Sequence, residues 1–180
     1  VKNNIEKLPN NIEAEQSIIG SILFNNEIFD EINMLINSKN FFDPMHQKIF
    51  LAIEKLIYSG MLASPITLKN QFENEKDDLN IPDYLIKITK FSTSSRQAIE
   101  YSKLIYDLYV KRELIKISEN IIDVAKLNDL EHKGQTIIEN FEKSLFDLAE
   151  KGSISSSIIK FDQALKMTME SATNAYKNEE

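Results

Sequence analysis

The chain has 180 residues, of which 42% are hydrophobic, and a formal net charge of −7. A chain of this length and apolar content can bury one sizeable core and carry an appendage. It has no cysteine, which excludes a disulfide framework and thiol catalysis, and its acidic balance argues against a surface that follows nucleic-acid phosphates. No apolar run reaches the roughly 20 residues that span a bilayer, and no secretory signal pattern is present, so we expect a cytoplasmic protein.

The first predicted helix covers residues 11 to 24. Asn10 and Glu13 are three residues apart, which is the spacing of a capping box at a helix start. The apolar residues that follow have helical spacing and predict one buried face, formed by Ile18, Ile19, Ile22 and Leu23.

Prolines and glycines mark the next helices. Asp43 followed by Pro44 is a cap with proline at the first helical position, and Gly60 stands where a left-handed terminator is needed. Ser64 and Pro65 repeat the start signal. Since no segment alternates as a strand does, the sequence predicts a compact helical head over residues 8–93, with helices at 11–24, 27–37, 44–59, 65–75 and 82–90.

A long helix is predicted from Ser94, capped together with Gln97, to about Leu127. Five apolar residues in it are spaced 4, 3, 4 and 3 apart and predict a coiled-coil seam: Val110, Leu114, Ile117, Ile121 and Val124. A second stripe beside this seam consists of Leu108, Ile115 and Ile122.

A further helix is predicted after a polar loop, beginning at a capping box of Thr136 and Glu139. Its seam positions are Ile138, Phe141, Leu145 and Leu148. Two such segments joined by a short loop predict an antiparallel hairpin over 94–151. Additional apolar residues lie beside the seam, so the hairpin either packs on the head or meets a second hairpin in a twofold four-helix bundle.

Residues 152–180 combine a serine-rich linker with one amphipathic helix. The apolar positions of this helix include Phe161, Leu165 and Met169. An amphipathic helix after a linker either docks on another surface or folds back on its own domain. The complete prediction is an all-α fold with a compact head, a long hairpin and a linker helix.

We predict no catalytic, cofactor-binding or metal-binding residues. His46 and His132 have no ligand set at zinc spacing, and Glu13 and Glu15 at a helix start are expected to be solvated. No glycine is followed by Lys-Ser or Lys-Thr, as a phosphate-binding loop would require.

The literal order LPNNIEAEQSIIGSILFN at 8–25 resembles the opening of bacterial replicative DNA helicases of the DnaB family. FFDPMHQKIFLAIEKLIYSG at 41–60 resembles the second signature of that family. ITLKNQFE at 66–73, PDYLIKI at 82–88 and AIEYSKLIYDLYVKRELI at 98–115 follow in the family's order. The chain departs from the family at Asn80-Ile81-Pro82, where a Gly-Gly pair is usual.

This resemblance implies the N-terminal collar domain and most of the linker of an ATP-dependent helicase. ATP and Mg would bind in a C-terminal ATPase domain, which we expect to be absent from this chain. It implies paired collar domains, a hexamer built as a trimer of dimers, and a linker helix on the neighbouring subunit's ATPase domain. DNA contact through this part is expected to be weak or absent.

The resemblance also implies that the collar docks the C-terminal domain of primase. Matched position by position, the docking candidates are Glu13, Tyr84, Ile115 and Ile121. The two isoleucines could equally belong to a core. The alternative function is a freestanding all-α adaptor without a motor domain.

Overall fold

The computed structural model describes residues 8–72, 81–127 and 133–150. The described residues contain helices and no strand, which confirms the all-α prediction. The helices are α1 Ile12–Phe24, α2 Phe29–Asn33, α3 Pro44–Tyr58, α4 Pro65–Phe72, α5 Ile81–Thr89, α6 Ser95–Ala125 and α7 at 134–150. No helix in these ranges is long and apolar enough to cross a membrane.

The chain divides into two compact units, Val1–Lys116 and Ile117–Glu180. The boundary therefore falls inside α6, whereas the sequence places the head boundary at 93. The first unit holds a continuous core of aliphatic and aromatic side chains. Its largest fully buried members include Phe29, Phe41, Phe50, Ile18, Ile19 and Ile22. The predicted apolar face of α1 is confirmed.

The cap of α1 differs by one residue from the prediction. Asn11, not Asn10, is the N-cap, since its Oδ1 accepts a hydrogen bond of 3.0 Å from the Ala14 amide. Asn10 instead donates from Nδ2 to the carbonyl of Leu8 at 2.7 Å. Glu13 is exposed in the first turn of the helix. Glu13 therefore follows the cap by two residues, and not by the three that a capping box requires.

The single helix predicted over 27–37 is wrong. Residues 26–40 instead form a 3₁₀ turn at Asn26–Ile28, the short α2, and a second 3₁₀ turn at Ser38–Asn40. Asparagine side chains cap these turns: Asn25 accepts from the Glu27 amide and Asn37 accepts from the Lys39 amide, both at 3.0 Å. Local side-chain bonds of this kind compete with a continuous helix.

The ends of α3 agree with the prediction. Asp43 accepts from the Met45 amide at 2.7 Å, with Pro44 at the first helical position. Gly60 has φ +76°, and the Met61 and Gly60 amides donate to the carbonyls of Leu56 and Ile57 at 3.0 and 2.9 Å. This pair of bonds is a Schellman motif, which requires the left-handed conformation that glycine adopts most readily.

The starts of the later helices are partly as predicted. Ser94 accepts from the Gln97 amide at 3.3 Å, but the Gln97 side chain bonds to Thr93 and Tyr101 and does not complete a capping box. The helix α7 is already formed at 134, so the predicted cap at Thr136 is wrong. The described residues resume only at 133, and the loop before it lies outside them.

The second unit carries two stripes of half-buried residues. On α6 they are Ile117, Ile121 and Val124, as the seam predicts. On α7 the half-buried positions are Ile137, Phe141, Ser144 and Leu148, while Ile138 and Leu145 are 53% and 43% exposed. The antiparallel pairing of the two helices stays a prediction. The linker-helix residues Phe161, Leu165 and Met169 lie outside the described residues.

Close packing between α1 and α5 depends on Gly20. A Cβ atom at this position would overlap the carbonyl oxygen of Ile88 on α5 and lie 3.3 Å from the Ser92 amide nitrogen. The next residue, Ser21, accepts a hydrogen bond of 2.9 Å from the Thr93 amide, which fixes the segment after α5 on the same helix. The absence of a side chain at Gly20 therefore sets the distance at which α5 lies against α1.

We expect Gly20→Ala to lower the free energy of unfolding by about 1–3 kcal/mol, because backbone must move to admit the methyl group. Urea unfolding followed by circular dichroism measures this difference. Gly134→Ala is the control, since a Cβ there meets no atom within 4 Å. A helical position with open space is neutral or slightly stabilised by alanine. Equal stability of Gly20→Ala and the unchanged chain would contradict the packing argument.

Candidate protein-docking site

A buried carboxylate lies at the centre of the first unit. Glu15, on α1, has an exposed fraction of 0%. Its Oε1 accepts from the Phe42 amide at 2.6 Å, and its Oε2 accepts from the Asp43 amide at 3.3 Å and contacts Nδ1 of His46 at 2.6 Å. A buried charge needs such a set of donors to offset its lost hydration. Glu15 thus holds the start of α3 against α1.

His46 extends this network to α5. Its side chain is also 0% exposed, and its Nε2 lies 2.7 Å from the hydroxyl of Tyr84. The two rings are stacked, with centroids 6.1 Å apart and an interplanar angle of 9°. A carboxylate can only accept, so Nδ1 carries the proton that faces Glu15. One histidine therefore connects α1, α3 and α5.

Tyr84 is the half-buried end of the network. Its hydroxyl accepts a hydrogen bond of 3.2 Å from Nε2 of Gln16, one residue after Glu15 on α1. Burial raises the pKa of Tyr84, and the carboxylates of Asp43 and Glu15 raise it further, while the bond from Gln16 opposes the increase. The neutral phenol is therefore the favoured form in the folded protein.

Arg112 joins α6 to the same region. Its guanidinium donates to the carbonyls of Pro9 and Asn40 at 2.9 and 2.6 Å, and only 6% of the residue is exposed. The guanidinium carbon lies 5.6 Å from the ring centroid of Phe42 and 6.0 Å from that of Tyr109. Burial lowers the pKa of Arg112, and the charge of Glu15 opposes this most strongly. This cation fixes α6 to the chain segment that also supplies donors to Glu15.

Comparison with known proteins gives the family of this chain. A model of the DnaB-like helicase N-terminal domain matches residues 7–107, more than half of the chain. The chain belongs to this family. The matched range contains Glu15, His46 and Tyr84 and ends five residues before Arg112.

Curated relatives extend the similarity beyond the matched range. The replicative DNA helicase DnaB of Rickettsia conorii is 36% identical over 173 residues, which is 95% of this chain and 35% of the relative. The same-named protein of Buchnera aphidicola is 32% identical over 161 residues, covering 86% of this chain and 33% of that relative. The chain therefore spans about a third of the length of the curated relatives it matches.

A solved structure has the same fold. The crystal structure of the N-terminal domain of DnaB helicase from Mycobacterium tuberculosis superposes with a TM-score of 0.68 and covers 78% of this chain and 99% of that one. Its sequence identity is 18%, so this likeness concerns the fold.

The four docking candidates of this DnaB-like chain occupy different places. Glu13 is exposed on α1, one helical turn before Gln16, and Gln16 contacts Tyr84, so these two candidates belong to neighbouring parts of α1 and α5. Ile115 is half-buried on α6, one turn after Arg112, within the first unit. Ile121 is half-buried in the second unit.

The dimerisation candidates on α6 and α7 differ in exposure. Leu114 is 40% exposed, in addition to Ile138 and Leu145, which are exposed as described above. The remaining candidates are half-buried: Val110, Ile117, Val124, Phe141 and Leu148. Ile122 and Phe146 beside them are 52% and 67% exposed. Both helices thus present apolar side chains that the other described residues leave exposed.

The sequence-based prediction for Glu15 was wrong, because this carboxylate is buried and not solvated. The signal was available: Glu15 precedes Ile18 and Ile19 by three and four residues, which places it on the buried face of α1. His46 stands in the same relation to Ile49 and Phe50 on α3. In the described ranges, no group of three or more side chains is arranged to hold a metal ion.

The role of Arg112 was also missed. It continues the buried face of α6, on which Ala98, Ser102 and Ile105 are spaced four and three residues apart. Arg112 follows Ile105 by seven residues, or two turns, so it returns to the same face. A charged residue on this buried face indicates a buried partner. The sequence does not identify the partner, because the acceptors are main-chain carbonyls, which every residue has.

We expect Arg112→Met to lower the free energy of unfolding by about 3 kcal/mol, because it removes two hydrogen bonds from a charged donor and leaves two carbonyls without that donor. Urea unfolding measures the change. Arg96, the other arginine, is exposed, so Arg96→Met is the control and should stay within about 0.5 kcal/mol of the unchanged chain. Similar losses in both variants would contradict the anchoring role.

Stability should fall as the pH rises above 10.0, the ordinary pKa of tyrosine. The folded protein holds the Tyr84 proton more tightly than the unfolded chain, so unfolding releases a proton in this range and becomes more favourable with pH. Tyr84→Phe should make the decline shallower, while Tyr106 and Tyr109, whose pKa values burial also raises, retain part of it. Urea unfolding at several alkaline pH values tests this, and an unchanged slope would contradict it.

Proposed function

We propose that this chain acts as the N-terminal collar domain of a bacterial replicative DNA helicase, where it brings protomers together and docks primase. Family membership and the helical fold support the first part of the proposal. The relatives that contain this domain are replicative helicases, so a freestanding adaptor is not favoured. The whole protein would unwind DNA with ATP and Mg bound in an ATPase domain, in the bacterial cytoplasm.

The single observation that carries the assembly role is the apolar surface of α6 and α7 that the described residues leave exposed. Ile122, Ile138 and Phe146 are each more than half exposed. Exposed apolar side chains on amphipathic helices are typical of an interface that a second copy covers. We propose a dimer through this surface and, in the whole protein, a hexamer formed as a trimer of dimers. The linker-helix residues Phe161, Leu165 and Met169 would dock on the neighbouring subunit's ATPase domain.

The docking role rests on a different surface. Tyr84 exposes part of its ring, while its hydroxyl is held by two partners, so little side-chain entropy remains to be lost on binding. An oriented tyrosine beside an exposed carboxylate, Glu13, is the kind of group that forms a binding hot spot. We propose that the C-terminal domain of primase binds here and against Ile115. Ile121 lies in the second unit and stays a separate candidate for primase contact.

Charge argues for protein partners over DNA in this part of the molecule. The net charge is −7, and one of the two arginines, Arg112, is buried on main-chain carbonyls. Arg96 is left as the exposed arginine. Since phosphate contacts dominate affinity for nucleic acid, any DNA contact through this chain should be weak.

Calorimetric titration of the chain with the C-terminal domain of primase from the same organism tests the docking role. Light scattering in the same buffer measures the mass of the chain alone. A dimeric or larger chain that binds with defined stoichiometry supports both roles. A monomer that gives no heat would contradict both.

We expect Ile115→Asp to raise the Kd for primase, or the Kd of the dimer, at least about tenfold, because a charged group replaces an apolar contact. Circular dichroism should show that the head stays folded. Ile86→Asp is the control, since Ile86 is 54% exposed on α5 and is not a docking candidate. Wild-type behaviour of Ile115→Asp in both assays would show that the surface is assigned wrongly.

A further inference from the structure

The hydrogen-bonding capacity of the Tyr84 hydroxyl is almost completely used inside the protein. A phenol has one hydrogen to donate and two lone pairs that accept. Gln16 Nε2 donates to one lone pair at 3.2 Å, and His46 Nε2 lies 2.7 Å away. The direction of the bond to His46 therefore decides what the hydroxyl can offer to a partner.

Glu15 determines that direction through His46. The Glu15 carboxylate already accepts two main-chain amides, and its Oε2 lies 2.6 Å from Nδ1 of His46. The carboxylate only accepts, so Nδ1 of His46 carries the hydrogen, and a neutral ring has no second hydrogen for Nε2. Nε2 then presents its lone pair, and the Tyr84 hydroxyl must donate to it.

We propose that the buried Glu15–His46 pair fixes the hydrogen-bonding polarity of the Tyr84 hydroxyl, so that the docking surface selects a partner group that donates a hydrogen bond. After donating to His46 and accepting from Gln16, the hydroxyl of this half-buried residue retains one lone pair. The matching group on the partner is an N–H or O–H, such as an amide, ammonium or guanidinium group. A partner carboxylate at this point would find no donor. His46 is a positioning residue in this scheme, since it acts through Tyr84.

The inference rests on the proposed docking role, but its first test does not need a partner. Long-range nitrogen–proton correlation spectra distinguish the two neutral tautomers of histidine and the imidazolium. The chain has two histidines, so a His132→Gln variant assigns the signals. At pH 7.5 we expect His46 with a protonated Nδ1 and an unprotonated Nε2. A hydrogen on Nε2, in either the other tautomer or the imidazolium, would overturn the proposal.

The second test changes the acceptor strength of the hydroxyl. Site-specific 3-fluorotyrosine at position 84 makes the hydroxyl a better donor to His46 and a poorer acceptor. Its Kd for the C-terminal domain of primase should rise about threefold, the loss of part of one hydrogen bond. The same substitution at Tyr101, whose hydroxyl accepts from Gln97 at 2.8 Å, is the control. An unchanged or lower Kd at position 84 would overturn the selection of a donor.

The third test asks whether His46 acts through Tyr84. Tyr84→Phe and His46→Gln should each raise the Kd about tenfold, and the double variant should lose little more than either alone. Additive losses would contradict a shared role. If His46→Gln does not fold, the spectra and the fluorotyrosine titration decide the question on the intact fold. If the unchanged chain binds no primase, the docking function and the selection of a donor group both fail. The nitrogen–proton spectra still show whether the Tyr84 hydroxyl donates to His46.

Discussion

The fold of the first unit depends on the hydrogen bonds that one buried carboxylate, Glu15, accepts. Moving an ionised Glu15 out of water costs several kcal/mol, and only a full set of donors offsets that cost. The donors come from the amides of Phe42 and Asp43 and from His46, so α1 and α3 must meet in one register. The same segment offers its Asn40 carbonyl to α6, and His46 reaches α5. Four helices are thereby positioned by contacts that begin at a single side chain.

Local signals in the sequence predicted most of the helices, and several of their failures involved asparagines. The helix α3, with a proline at its first position and a glycine after its end, is bounded as expected, since both residues act through their own backbone geometry. One helix was predicted over 27–37, yet Asn25 and Asn37 cap separate 3₁₀ turns at the two ends of that segment. An asparagine side chain can accept from an amide in place of a helix carbonyl, so tertiary contacts decide whether the segment forms a helix or a turn.

The candidate site shows a similar limit. Tyr84 and Glu13 were identified through resemblance, while the residues that hold Tyr84 were not identified as functional. Periodicity alone places Glu15 and His46 on buried faces, but it does not reveal that the two residues face each other, because that contact joins positions 31 residues apart.

The bonds from Arg112 have a consequence for how the chain folds during synthesis. Arg112 donates to the carbonyl of Pro9, so the closing contact joins residues 103 positions apart. On a ribosome, the segments that contain Pro9 and Asn40 emerge well before the part of α6 that satisfies their carbonyls. The head can collapse around its aromatic core early. The hydrogen bonds from Arg112 form only after nearly the whole first unit has left the exit tunnel. A nascent chain paused before Arg112 would therefore be compact yet incompletely closed, with these two carbonyls still open to water.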